Sequence, residues 1–152
     1  MDNEKEKEIR KAIIIGINNY EADPIIPTLK GAENDAKEIY DKLIQYGNFE
    51  IDINHFLLGS HATRRNILKA VNEVFRKGNE YQLVTFYFSG YGVVDKTNNE
   101  GYLAPYDMDT EASFFSVINM EELKKAINNT KNITNTIIIL DCCYPPITSD
   151  TK

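Results

Sequence analysis

Residues 83–92 read Leu-Val-Thr-Phe-Tyr-Phe-Ser-Gly-Tyr-Gly. The first six form a nearly unbroken apolar run, rich in β-branched and aromatic residues and too short for a buried helix. A run that does not alternate suits a strand covered on both faces, as in parallel sheets. Ser-Gly-Tyr-Gly punctuates it, so the strand is expected to end there. Two runs of the same kind lie at Ala12 to Ile17 (AIIIGI) and Thr136 to Leu140 (TIIIL), and His55 to Leu58 (HFLL) is a weaker fourth. Ile13, Ile15, Val84, Phe86, Ile137 and Ile139 are the expected core.

Helical patterns separate these runs. Ala32, Ala36, Ile39, Tyr40, Leu43 and Ile44 make the stripe of a helix packed on a sheet, and Gly47 is expected to stop it. Thr63 suits the cap of a second helix carrying Ile67, Leu68, Val71, Val74 and Phe75, ended by Gly78. Asn119 and Glu122 suit a capping box ahead of Leu123, Ala126 and Ile127. Asn98-Asn99-Glu100-Gly101 reads as a hairpin turn. Strands alternating with helices imply an α/β fold, a mainly parallel sheet with helices on both faces.

The chain has 152 residues, 42% of them hydrophobic, with a net charge of −6. That length suits one domain, and the acidic balance argues against a nucleic-acid binder. No apolar run approaches a membrane span, and the charged start Met1 to Lys11 (MDNEKEKEIRK) is not a secretion signal. Residues 1–10 are expected to be a solvated arm. The two cysteines, Cys142 and Cys143, are adjacent, which disfavours a disulfide and supplies too few ligands for zinc. No metal or cofactor is expected, and a reducing, cytoplasmic setting is favoured.

In such a sheet, sites form beyond the carboxyl ends of the strands. After the first strand the sequence GINNYE is neither a dinucleotide fingerprint nor a P-loop, and Asn18 and Asn19 stand where a phosphoacceptor domain needs carboxylates. Near the later ends stand Tyr91, flanked by Gly90 and Gly92, and a thiol at Cys143. On neighbouring strands about 4.8 Å apart, such side chains could meet as a nucleophile and its partner.

Six segments, in order, resemble the caspase, metacaspase and prokaryotic caspase-like superfamily, in its large-subunit half. They are Lys11 to Asn18, Leu29 to Ala36 (LKGAENDA), Ala62 to Ile67 (ATRRNI), Tyr87 to Gly92 (YFSGYG), Gly101 to Asp107 (GYLAPYD) and Leu140 to Tyr144 (LDCCY). The resemblance implies a caspase-like three-layer sandwich over 11–146, a nucleophile at Cys143, and an oxyanion hole using the backbone N–H groups of Gly92 and Cys143. It also implies that acids at Asp35 and Asp141 receive a basic residue before the cleaved bond. Read from the residues alone, Asp35 is equally a helix N-terminal carboxylate, Asp141 a hydrogen bonder at a strand end, and Cys142 a packed thiol.

One position departs from the pattern. The family's catalytic histidine matches Tyr91, and a phenol with pKa near 10 cannot take a thiol proton at pH 7. His55, read as lying in a strand, and His61, after the second strand, are poor substitutes. The expected function is therefore a degenerate protease, a pseudoprotease serving as an interaction or regulatory module for a protein or peptide. The alternative is an active cysteine endopeptidase with an unusual or partner-supplied base. Residues 147–152 read as a tail cut short. A C-terminal half or another subunit is expected to pair with the 136–140 strand, or else the chain to associate with itself. Neither a nucleic acid nor a membrane is an expected partner.

Overall fold

A computed structural model describes residues 8–21, 26–112 and 115–143, with Cys143 described by its backbone alone. Most of the expected arm, and everything after Cys143, lies outside the described residues. In chain order the elements are β1 (Arg10–Gly16), α1 (Ala32–Tyr46), β2 (Phe56–Leu58), α2 (Arg64–Val74), β3 (Tyr81–Asp95), β4 (Glu100–Leu103), β5 (Ile118–Asn119), α3 (Met120–Asn128) and β6 (Ile133–Cys143).

The four apolar runs of the sequence become one parallel block ordered β2-β1-β3-β6. β4 and β5 extend it antiparallel from the far end of β3, so the sheet is mainly parallel. α1 covers one face, where Ala36, Ile39 and Leu43 meet Ala12, Ile14 and Tyr87. α2 and α3 cover the other, where Ile67, Val71, Val74 and Leu123 join Ile13, Ile15, Phe86 and Phe88. The result is a three-layer α/β sandwich, as expected. A Cβ on Gly16 would stand 2.6 Å from the Ala36 Cβ and 2.7 Å from the Ala32 carbonyl oxygen, so α1 rests directly on the β1 backbone. That contact aims the first turn of α1, with Asp35, at the carboxyl end of β1.

Local signals act much as read. The Thr63 hydroxyl accepts from the Asn66 N–H at 3.2 Å, capping α2. Asn119 caps α3, but its side chain accepts from Glu121 N–H at 2.7 Å, with no bond to Glu122. Gly47 closes α1 at φ −96°, and the left-handed residue is Asn48, at φ 54°. The hairpin forms between β3 and β4.

Three expectations need correction. Ile137 and Ile139, expected in the core, are 46% and 41% exposed. The reason is topological: β6 pairs only with β3, and no described strand lies beyond it. His55 is in a 3-10 turn, Ile53–His55, just ahead of β2 rather than inside a strand. Finally, Ser89 to Gly92 and Asp141 to Cys143 are not loops beyond strand ends. β3 runs unbroken to Asp95 because it trades its parallel neighbours for the antiparallel β4, and β6 continues through Cys143 beside it.

Candidate active site

The register of β3 and β6 sets the site. Ser89 lies opposite Asp141, Gly90 opposite Cys142, and Tyr91 opposite Cys143. The backbone positions matching a nucleophile and its partner are therefore direct neighbours, about one strand spacing apart.

Tyr91 is buried, 4% exposed, and belongs to the core on the α2 and α3 face. Its hydroxyl donates to the Pro27 carbonyl at 2.7 Å. Its backbone N–H donates to the Tyr20 hydroxyl at 2.8 Å, and the two rings lie 5.5 Å apart, centroid to centroid. Gly90 permits this, since a Cβ there would stand 2.7 Å from the Tyr20 hydroxyl. Tyr91 thus ties the segment after β1 to the middle of β3. Gly92 is buried and pairs with Leu103 of β4. Cys142 is half-buried and its thiol packs against the same core.

The opposite face of the sheet carries the acids. Asp35 is half-buried in the first turn of α1, and Asp141 is exposed on β6. They converge on Tyr87, which the sequence reading placed in the third strand run and at the head of the YFSGYG segment without giving it a role. Burial pushes its phenol above the usual range. The Ser89 side chain works against that, while the negative charges of Asp141 and Asp35 add to it. A signal was available, because Tyr87, Ser89 and, across the register, Asp141 share one face by strand alternation.

Tyr87 therefore has a pH signature. A phenol whose folded pKa exceeds its unfolded value contributes stability that is complete below about pH 10 and lost as pH rises through the folded value. Changing Asp141→Asn removes the negative partner, so the Tyr87 titration should fall toward pH 10. NMR of ring-labelled tyrosine reads this directly. An unchanged Tyr87 titration would separate Asp141 from Tyr87.

The two histidines stand apart from this site. His55 lies on the α2 side, with its Nε2 2.9 Å from the Glu73 carboxylate. His61 is exposed just after β2, three strand positions from β6, roughly 14 Å away. Among the described residues, no group of three or more histidine, cysteine or acidic side chains could hold a metal. Nor is any described helix long and apolar enough to cross a membrane.

A family model described as a caspase domain matches residues 9–151. The chain belongs to the caspase domain family. It is 31% identical over 150 residues to Metacaspase-1 of Plasmodium falciparum (isolate 3D7), a match covering 88% of this chain and 23% of that protein. The crystal structure of protein GSU0716 from Geobacter sulfurreducens superposes with a TM-score of 0.65 at 18% identity, covering 89% of this chain and 50% of that one. The caspase domain described here thus spans half or less of these relatives. The likeness to the Geobacter protein carries the fold alone.

Proposed function

We propose that this caspase domain is a degenerate cysteine protease, a pseudoprotease that recognises a protein or peptide without cutting it. The observation carrying this reading is the state of Tyr91. At the position where the family resemblance puts the base, a buried phenol spends its proton on the Pro27 carbonyl. A general base needs a pKa near the working pH, and the oxygen of a neutral phenol is far too weakly basic to take a thiol proton. Both imidazoles of the chain are engaged or distant, so neither takes its place. In serine-protease triads, loss of one member costs roughly four to six orders of magnitude in turnover.

Recognition rests on the other face. Asp35 and Asp141, gathered around Tyr87 and Ser89, form a small acidic site suited to a guanidinium or ammonium group. The family resemblance gives the oxyanion role to the backbone N–H groups of Gly92 and Cys143, and Cys143 pairs in register with Tyr91, the residue before Gly92.

The test uses peptides with arginine or lysine before the scissile bond. Binding is expected without hydrolysis above the uncatalysed background. Asp141→Asn should weaken binding about ten-fold, the usual worth of one charge-assisted hydrogen bond. Hydrolysis that is abolished by Cys143→Ala would favour the active endopeptidase instead. Binding indifferent to Asp35→Asn and Asp141→Asn would remove the acidic site from the reading.

A further inference from the structure

α1 begins without a cap of its own. Gly31 stands at its N-cap and offers no side-chain acceptor, so the first N–H groups of the helix need partners from elsewhere. Asn18, just past the end of β1, supplies one: its Oδ1 accepts from the Glu33 N–H at 3.1 Å. The Glu33 carboxylate returns the bond, its Oε1 accepting from the Asn18 N–H at 3.2 Å. The Asn18 carbonyl also accepts from the Leu29 N–H at 2.8 Å. This is the reciprocal pattern of a capping box, split here between segments 15 residues apart.

We propose that Asn18 and Glu33 are positioning residues for the acidic site, holding the first turn of α1 so that Asp35 faces Tyr87 while the Glu33 carboxylate stays out of the binding set. Given the reading of Asp35 and Asp141 as a cation site, on which this inference rests, two further observations carry it. Residues two apart on a helix point about 200° apart, so Glu33 and Asp35 leave α1 on opposite sides. Glu33 leans towards β2: a Cβ on Gly59, the residue after that strand, would stand 3.1 Å from its Oε1. Asp35 leaves towards β3 and β6, where its charge bears on Tyr87. The first turn of α1 thus carries two acids, one tied to the scaffold and one presented to a ligand.

Each hydrogen bond has its own variant. Asn18→Ala removes the acceptor for the Glu33 N–H, and Glu33→Ala removes the acceptor for the Asn18 N–H. Either change loosens the first turn, so Asp35 no longer keeps its place beside Tyr87. Glu33→Gln keeps a carbonyl oxygen at the same reach and removes only the charge. For a residue that positions, the amide serves nearly as well as the carboxylate. For a carboxylate that binds a cationic ligand, it does not.

Two measurements on the 152-residue chain test the proposal. Ring-labelled tyrosine NMR follows the Tyr87 titration, which a loss of global stability alone does not move. It should fall toward about pH 10 in Asn18→Ala and Glu33→Ala and stay at the parent value in Glu33→Gln. Affinity for a peptide with arginine before the scissile bond should fall about five-fold in the two alanine variants, the usual worth of a helix cap, and stay within about two-fold of the parent in Glu33→Gln. Circular dichroism confirms that each variant is folded. A Tyr87 titration unchanged in both alanine variants would overturn the proposal. So would Glu33→Gln losing as much affinity as Glu33→Ala, because the carboxylate would then itself hold the ligand. The titration needs no peptide, so a parent that binds no arginine peptide would remove the recognition reading and leave the Tyr87 result to decide the positioning role.

Discussion

Replacing Tyr91 with histidine is expected to raise the alkylation rate of Cys143 at pH 7 about ten-fold. An ordinary thiol with pKa about 8.5 is only a few per cent thiolate at that pH. An imidazole at position 91 stands opposite Cys143 in the strand register and titrates near pH 6.5. It can take the thiol proton and hold the resulting anion as an ion pair, bringing the thiolate fraction to roughly half. The gain is less than the change in that fraction, because a more acidic thiol is a weaker nucleophile. The exchange also has a structural cost. It removes the hydroxyl that donates to Pro27 and leaves a carbonyl short of a partner, about 1–2 kcal/mol. Tyr91→Phe isolates that cost and should lower stability by a similar amount with no gain in reactivity. Denaturant unfolding of the two variants separates the contributions. Equal reactivity in the parent, Tyr91→Phe and Tyr91→His would show that position 91 does not govern the thiol.

The largest loss of stability is expected from Gly16→Val. Even a methyl group there would meet the Ala36 Cβ at 2.6 Å and the Ala32 carbonyl at 2.7 Å, and the Glu33 Cα lies at 3.0 Å. Two of these three neighbours are main chain, so no flexible side chain can swing aside. α1 would have to lift from β1. Overpacking a core typically costs about 1–3 kcal/mol, and a clash with backbone belongs at or above the upper end. For a chain of this length about 3 kcal/mol lowers the melting temperature by roughly 10 °C. The same displacement would carry Asp35 away from Tyr87, so arginine-peptide binding should fall with stability. Thermal unfolding followed by circular dichroism checks the first effect, and a melting temperature within about 2 °C of the parent would contradict it.

The parallel block was legible because each of its strands is an apolar run. Helix caps at Thr63 and Asn119 were legible for a similarly local reason: a short polar side chain stands just before an amphipathic stripe. Misreadings arose where tertiary partners overrule a local signal. Ser89-Gly90-Tyr91-Gly92 carries two glycines and reads as a break, yet β4 supplies new hydrogen bonds and β3 continues. Ile137 and Ile139 read as core because their composition suits burial on both sides. Their exposure depends on what lies beyond β6, which no property of those residues encodes.

The candidate site was legible only in part. Cys143, Tyr91, Asp35 and Asp141 stood out through motif spacing. The roles of Tyr20, Pro27 and Tyr87 depend on hydroxyl groups meeting across tens of residues of chain, as Tyr91 meets Pro27 and Tyr20. Tyrosine in an apolar run carries a core signal and a polar one at once, and the sequence expresses the first far more strongly.

The central claim is that the thiol at position 143 has no base. Its most direct test is the alkylation rate of Cys143 between about pH 5 and 10, with Tyr91 in place and Cys142→Ser removing the neighbouring thiol. A degenerate site predicts a single rise centred at about pH 8.5, as for a free thiol. A rate that is already at its plateau below about pH 7 would reveal an activated thiolate and contradict the pseudoprotease reading.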